Sequence, residues 1–222
     1  MTALALTLGD AEPRPIEVET AIVAGWTGRD RAAVEAHIAE LAELGVPRPS
    51  ATPIFYRVSA ARLTTAAAIE STPDSSGEVE AVLLHAGGEL WVGAGSDHTD
   101  RRVEGYDVAV SKQMCEKPIA PDFWRYAEVA EHWDELVIRS WIEEDGAEVL
   151  YQEGTLAAIL PAAELIERAE PALADGTAMF LGTLAARGGI RPSPVFRYEL
   201  EDPVRRRRIA GRYAIQPLPL IA

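Results

Sequence analysis

A pair of adjacent glycines between two apolar runs constrains the fold of this chain most strongly. Gly87 and Gly88 follow the run EVEAVLLHA and precede the run ELWVGAGSD. Glycine adopts the positive φ angles that a two-residue hairpin turn requires, so the two runs are predicted to form one antiparallel β-hairpin. A two-residue turn also sets the register, because Ala86 must then pair with Glu89 and every further pair follows.

This register brings three acidic residues together. Glu78 and Glu80 lie on the same face of the first strand, because side chains alternate along a strand with a period of two. Asp97 falls directly opposite Glu78, and Glu80 lies two places along. A slip of one residue in the turn would move Asp97 to the other face. The predicted convergence of three carboxylates therefore depends on the two-glycine turn.

The acidic face has two interpretations at this point. Carboxylates so close together repel one another, and a divalent cation with oxygen ligands would relieve that repulsion. The same charges could instead line an exposed sheet edge and prevent edge-to-edge aggregation. His98 follows Asp97 and would point to the opposite side of an extended chain, which favours a packed histidine over a metal ligand. His132, in the run EHWD, is the other candidate acid or base.

The rest of the chain predicts more strands than helices. Short runs rich in β-branched and aromatic residues are separated by turn residues, as in the predicted hairpin at Asp145-Gly146. Helical spacing of apolar residues occurs in 31–44, where Gly45 ends the helix, and 157–169 is also predicted to be helical. The segment 121–131 is predicted as a further helix. These elements predict an α+β, mostly β fold whose sheets are largely antiparallel or mixed.

The length of 222 residues favours one main domain with an N-terminal elaboration. We expect a small strand–helix elaboration over residues 1–48 and the main domain over residues 49–222.

The formal net charge of −14 argues against a nucleic-acid partner, because phosphates would be repelled. The single cysteine, Cys115, fits a reducing compartment. No basic leader or membrane-spanning apolar segment is present, so we expect a cytoplasmic protein with no membrane partner.

Several motifs resemble, in the same order, those of the fumarylacetoacetate hydrolase family. The E-x-E of Glu78 and Glu80 resembles a strand start of that family, and the run SDHTDR resembles its N-D-x-S-A-R-D pattern. Lys117 is the counterpart of the lysine in a K-S-F-like run of that family. PIFYR, which ends at Arg57, lies where the family has an F-x-K-like strand. DGAEVLYQ resembles the N-G-E…Q hairpin of the family. LGT, which ends at Thr183, resembles a G-T ending.

The resemblance implies a rolled mixed β-structure with a magnesium ion, for which manganese or calcium could substitute. It also implies a small anionic substrate, and a homodimer is the default expectation for the assembly. Lys112 is the rival of Lys117, and His98 and His132 are the candidate bases. Carried across by position, the residues implied to act are Glu78, Glu80 and Asp97 as metal ligands, Arg101 and Lys117 as catalytic cations, and Arg57, Gly182 and Thr183 as substrate contacts.

The implied activity is metal-dependent hydrolysis of a C–C bond in a 2-oxo acid or 1,3-dicarbonyl substrate of the acylpyruvate type. The alternatives are a decarboxylase, hydratase or tautomerase that uses the same site, or a non-catalytic relative that binds a metabolite. The chain departs from the family pattern at Ser96, where the family has asparagine, and at Leu184, where it has proline. No segment resembles the lid that supplies the family's catalytic histidine and glutamate.

Overall fold

The computed structural model describes residues 1–43 and 48–221, so the predicted helix end at Leu44 and Gly45 lies outside the described residues. The strands are β1 (Thr2–Leu8), β2 (Arg14–Val18), β3 (Thr20–Gly25), β4 (Ile54–Val58), β5 (Leu63–Thr64), β6 (Ala68–Ser71), β7 (Ser75–Ser76), β8 (Val79–Ala86), β9 (Glu89–Ser96), β10 (Thr99–Asp100), β11 (Lys117–Pro118), β12 (Asp122–Arg125), β13 (Val137–Glu144), β14 (Ala147–Thr155), β15 (Thr177–Phe180), β16 (Val195–Asp202) and β17 (Arg207–Pro217). The α-helices are α1 (Arg31–Glu43), α2 (Arg101–Glu104), α3 (Val108–Met114) and α4 (Ala162–Arg168).

Within that part of the chain, the strands form two large sheets and two short ones. The larger sheet has eight strands in the order β2-β1-β12-β9-β8-β15-β3-β4, and the second has five in the order β14-β13-β16-β17-β6. The short pairs are β10 with β7 and β11 with β5. Parallel pairing joins β1 to β12, β3 to β15 and β6 to β17, whereas the hairpins are antiparallel. Both large sheets are therefore mixed.

Apolar side chains pack on both faces of the larger sheet. Val79 and Leu83 of β8 share one core with Leu200 of β16, so the five-stranded sheet covers this face. Leu84, also on β8, shares the second core with Phe123 of β12 on the opposite face. Because alternate residues of a strand point to opposite faces, β8 supports both cores. This rolled, mostly β structure with flanking helices confirms the predicted fold class.

The hairpin of β8 and β9 has the predicted register. Gly87 and Gly88 form its turn with φ angles of 65° and 75°, and Ala86 pairs with Glu89. At the open end, the backbone N–H of Asp97 donates to the carbonyl of Glu78 over 2.9 Å. The second predicted hairpin, which joins β13 to β14 through Asp145 and Gly146, is also present. Both predicted hairpins are therefore present, and the first also has the register that its turn predicts.

Strands from the first 48 residues belong to the larger sheet. β1 pairs with β12, and β3 lies between β15 and β4. The division into residues 1–48 and 49–222 stays a prediction. Among the described residues, no helix is both long enough and apolar enough to cross a membrane.

The prediction of a helix over residues 121–131 is wrong. This segment forms β12 and then 3₁₀ turns at Tyr126–Glu128 and Ala130–Glu135. The ring of Phe123 fills the space beside Gly93, where a Cβ atom would lie 2.6 Å from Cε1 of Phe123. Pairing with β1 and β9 then satisfies backbone groups that a helix would have bonded internally. Tertiary contacts therefore override the local helical pattern.

Candidate metal centre

The open end of the β8–β9 hairpin brings three carboxylates together. One oxygen each of Glu78, Glu80 and Asp97 lies within 4.8 Å of the others. Glu80 and Asp97 are buried, whereas the side chain of Glu78 is 15% exposed. The convergence follows from the hairpin register, because opposed residues of an antiparallel pair point to the same face.

Asp97 lies between two lysine side chains. Nζ of Lys112 is 2.5 Å from its Oδ2, and Nζ of Lys117 is 3.1 Å from its Oδ1. Burial acts to raise the pKa of Asp97, but the two ammonium groups hold it below its ordinary value. Asp97 is therefore an ionised, fully buried carboxylate. From the sequence, Lys112 and Lys117 were alternatives for the position of the family's lysine. The structure places both beside Asp97.

The two lysines differ in their surroundings. Lys112 lies on α3, which begins where Oδ1 of Asp107 accepts from the N–H of Val110 over 2.9 Å. Burial acts to lower the pKa of Lys112, but Asp97 raises it above its ordinary value. Lys117 lies in β11 and donates to the carbonyl of His98 over 2.5 Å. Burial lowers the pKa of Lys117 despite the nearby carboxylate.

Glu80 is held by a backbone group. The N–H of Gly182 donates to its Oε2 over 2.6 Å. Burial and the negative charge of Asp97 raise the pKa of Glu80 well above its ordinary value. Burial and the charge of Asp97 therefore disfavour the ionised form of Glu80. Gly182, expected from the resemblance to contact the substrate, here donates to a carboxylate of the cluster.

Arg101 contacts the third carboxylate. Its Nη2 lies 3.4 Å from Oε1 of Glu78, its Nη1 donates to Glu104 over 2.8 Å, and its Nε donates to Oγ of Ser76 over 2.7 Å. Burial acts to lower the pKa of Arg101, but the charges of Glu78 and Glu104 raise it above its ordinary value. The guanidinium group is therefore a fixed positive charge beside the carboxylate cluster.

The three carboxylates fit a divalent cation with oxygen ligands. Among the described residues, Oδ1 of Asp97 is buried and accepts no hydrogen bond, although an ammonium group lies nearby. Glu80 is buried, and among the described residues it accepts from a backbone N–H but forms no ion pair, so its ionised form would need a further positive charge. Hard cations such as Mg²⁺ and Ca²⁺ prefer carboxylate oxygens. The cluster of Glu78, Glu80 and Asp97 could therefore hold a metal ion.

Both ring nitrogens of His98 have partners. Nδ1 lies 2.9 Å from the hydroxyl of Tyr213, and Nε2 lies 2.9 Å from Oγ of Ser75. Ser75 donates its proton to the carbonyl of Thr72, so it must accept from His98 at Nε2. His98 is therefore neutral with its proton on Nε2, and Nδ1 accepts from Tyr213. Burial lowers its pKa to about 3.

Thr183 takes part in bonds within the scaffold. Its hydroxyl donates to the carbonyl of Val79 over 2.7 Å and accepts from Nε2 of Gln152 over 2.8 Å. Oε1 of Gln152 in turn accepts from the N–H of Val79 over 3.0 Å. Gln152 thus links β14 to the start of β8, beside the cluster. In the sequence, Gln152 was recognised only as part of a motif. Its role as a link between strands could not be predicted, because its hydrogen-bond partners are distant in the chain.

Two other candidate residues lie apart from the cluster. Nε2 of His132 is 3.0 Å from Oδ1 of Asp202, at the end of β16. Arg57 is exposed on β4 and lines a cavity of about 400 Å³ together with Arg62 and Gln113. Among the described residues, no hydrogen bond or ion pair joins His132 or Arg57 to the three carboxylates. Their suggested roles stay predictions.

The fold and the site define a rolled, mixed β-protein with a buried acidic cluster that could hold a metal ion. A family model with the description "Protein of unknown function (DUF2848)" matches residues 24–213. The chain therefore belongs to this family. Among curated proteins, the sequence finds no match.

Solved structures share the fold at low identity. A proposed fumarylacetoacetate isomerase/hydrolase from Oleispira antarctica superposes with a TM-score of 0.67 at 18% identity, covering 95% of this chain and 99% of that one. Yeast ynq8, a fumarylacetoacetate hydrolase family protein, gives 0.58 at 15%, covering 92% and 96%. A 2-keto-3-deoxy-D-arabinonate dehydratase complexed with magnesium and 2,5-dioxopentanoate gives 0.64 at 13%, covering 96% and 79%. The fold implied by the motif resemblance is therefore confirmed.

Proposed function

We propose that this protein is a divalent-metal-dependent enzyme that hydrolyses a C–C bond of a 2-oxo acid or 1,3-dicarbonyl substrate. The observation that carries the proposal is the convergence of Glu78, Glu80 and Asp97 within 4.8 Å, beside buried cationic side chains. The fold adds support, because similar structures include fumarylacetoacetate hydrolase family proteins. One similar structure is a dehydratase with magnesium and 2,5-dioxopentanoate, which is a 2-oxo acid by name.

The three carboxylates are the proposed metal ligands. Glu78, Glu80 and Asp97 would hold Mg²⁺, or Mn²⁺ or Ca²⁺ in its place, and Oδ1 of Asp97 is the oxygen that accepts no hydrogen bond among the described residues. A bound divalent ion supplies Lewis acidity toward a carbonyl oxygen of the substrate.

Cationic side chains beside the cluster would attract an anionic substrate. Three carboxylates and one divalent ion leave one negative charge, and Arg101, Lys112 and Lys117 together change this to two positive charges. Arg101 or Lys117 would stabilise negative charge on a substrate oxygen, an effect worth roughly 3–4 kcal/mol for a well-placed donor. A small anionic substrate is therefore the class that the electrostatics favours.

A lyase reaction is the second candidate. The similar magnesium-bound structure is a dehydratase, and decarboxylation, hydration and tautomerisation also proceed through negative charge on a carbonyl oxygen. His98 has hydrogen-bond partners at both ring nitrogens, so hydrolysis would need another proton acceptor. Assays of acylpyruvates, oxaloacetate and 2-hydroxydienoates side by side would distinguish hydrolysis from the lyase alternatives.

Calorimetric titration with Mg²⁺ and Mn²⁺ tests the metal site directly. Glu80→Gln and Asp97→Asn remove a carboxylate ligand, so we expect each to weaken binding at least about tenfold. Glu89→Gln, at the far end of the same hairpin, is the matched control and should bind as the unaltered protein does. Equal affinity in all variants would show that the ion does not bind at this cluster. Metal-dependent ligand binding without turnover would favour a non-catalytic relative.

The assembly and location of the protein are also proposals. A homodimer is the expected state, because two-fold homo-oligomers are the commonest assemblies. Sedimentation equilibrium at several concentrations would measure the mass, and a value near 24.0 kDa would contradict the dimer. Fractionation of cells would test the expected cytoplasmic location.

A further inference from the structure

We propose that Lys112 is a built-in cation that stabilises the metal-free carboxylate cluster and competes with the divalent ion for Asp97. The inference rests on the proposed metal role of the cluster and concerns how metal occupancy is regulated there. Lys112 would hold Asp97 when no ion is bound and would withdraw its ammonium group when one binds.

The position of Lys112 is the first support. Its Nζ lies 2.5 Å from Oδ2 of Asp97, and the two side chains are 7% and 0% exposed. A buried carboxylate requires a partner of opposite charge, and an ammonium at this distance supplies it. Lys112 therefore provides in the metal-free site part of the charge that an ion would supply.

The bonding of the neighbouring cations is the second support. Lys117 also donates to the carbonyl of His98, and Arg101 divides its guanidinium among Ser76, Glu104 and Glu78. Among the described residues, the ammonium of Lys112 has Asp97 as its single hydrogen-bond and ion-pair partner. Lys112 consequently loses one partner when it moves, whereas its neighbours would lose several.

The geometry of the Lys112 side chain is the third support. α3 is anchored at its start by Asp107 and tied to β4 by Gln113, whose Nε2 donates to the carbonyl of Arg57 over 2.9 Å. The backbone around Lys112 is thus held, while its four-carbon stem allows the ammonium group to move. Only the side chain needs to rearrange when an ion binds.

Electrostatics sets the direction of the effect. A divalent ion at the cluster and the ammonium of Lys112 repel each other across a buried site, where charges are poorly screened. Removing the ammonium leaves the carboxylates with a greater excess of negative charge. Lys112→Met should therefore bind a divalent cation at least about tenfold more tightly, although the metal-free protein becomes less stable.

The test measures metal affinity and metal-free stability in the same variants. Lys112→Met removes the charge at similar volume, and Lys112→Arg retains it. Calorimetry gives the dissociation constants for Mg²⁺ and Mn²⁺, and thermal unfolding in chelator gives the metal-free midpoint. We expect tighter binding and a lower midpoint for Lys112→Met, with Lys112→Arg restoring both toward the unaltered protein. A purely structural lysine would lower stability without tightening metal binding.

The outcomes separate this inference from the proposed function. If the unaltered protein binds the ions and Lys112→Met binds them no more tightly, competition is overturned and the metal site stands. If neither protein binds an ion, both proposals fall. If Lys112→Met folds only with Mg²⁺ present, the dependence of folding on Mg²⁺ concentration gives its dissociation constant, and a constant no lower than that of the unaltered protein overturns competition. If Lys112→Met and Lys112→Gln both fail to fold with and without Mg²⁺, Lys112 is a structural residue and competition is overturned.

Discussion

The backbone at Gly182 meets two requirements that exclude a side chain. Its φ angle is +105°, and a Cβ atom there would lie 1.9 Å from Oγ1 of Thr27. Its N–H also donates to Oε2 of Glu80, so the position of this residue affects a proposed metal ligand. Close approach of Thr27 and the bond to Glu80 together explain a glycine at this position.

Substitution of Gly182 should therefore affect both stability and metal binding. We expect Gly182→Ala to lower the free energy of unfolding by about 3 kcal/mol, from backbone strain and steric overlap together. Gly189→Ala is the matched control, because Gly189 also has positive φ but no atom within 4 Å of the added Cβ. Its cost should be about 1 kcal/mol, from strain alone. Equal costs in urea unfolding would contradict the steric explanation.

Asp202 makes stability depend on pH at a site apart from the cluster. Burial acts to raise its pKa, but hydrogen bonds from the N–H of Arg205, from Arg207 and from His132 hold it below its ordinary value. A carboxyl group whose pKa is lower in the folded state contributes stability above its unfolded pKa of about 4. This contribution is lost as the pH falls through the folded pKa.

Asp202→Asn should accordingly cost about 2 kcal/mol at pH 7, because bonds to a charged group are lost. The difference between Asp202→Asn and the unaltered protein should shrink as the pH falls below about 4. Urea unfolding between pH 3 and pH 7, with chelator present, measures both quantities. A difference that is independent of pH would show that the charge of Asp202 does not stabilise the fold.

At the scale of elements, β12 depends on its neighbour β9. The ring of Phe123 lies against the backbone of Gly93, which leaves no room for a Cβ atom. We expect Gly93→Ala to cost about 2 kcal/mol through overpacking, and Phe123→Leu to cost a similar amount through the space it leaves. The double variant should be more stable than the sum of the two losses by about 1 kcal/mol, because each change relieves the other. Strictly additive losses would contradict this packing.

At the scale of the whole molecule, the carboxylate cluster joins elements that are distant in the chain. Glu80 on β8 bonds Gly182 after β15, and Asp97 after β9 bonds Lys112 on α3. An ion that binds the folded chain and not the unfolded chain stabilises it by mass action. The metal centre should therefore contribute to global stability.

The addition of Mg²⁺ should raise the midpoint of thermal unfolding. At a free concentration one hundred times the dissociation constant, the expected stabilisation is about 2.7 kcal/mol. Glu78→Gln should reduce this gain with little effect on packing, since Glu78 is the most exposed of the three carboxylates. Calorimetry of unfolding with Mg²⁺ or chelator provides the comparison. An unchanged midpoint in the unaltered protein would contradict a metal site that is specific to the folded chain.

The sequence alone determined the parts of this protein that depend on local geometry. Gly87 and Gly88 set the hairpin turn, and the period of two then placed Glu78, Glu80 and Asp97 on one face. These predictions succeeded because turn type and strand alternation depend on residues that are adjacent in the chain. The motif resemblance extended them to the correct fold.

The tertiary structure decided what depends on contacts between distant residues. It brought both Lys112 and Lys117 to Asp97, and it made residues 122–125 a strand where the sequence predicted a helix. It also gave His98 partners at both ring nitrogens. Local patterns could not predict these features, because side-chain partners across a sheet or a helix depend on how the whole chain packs.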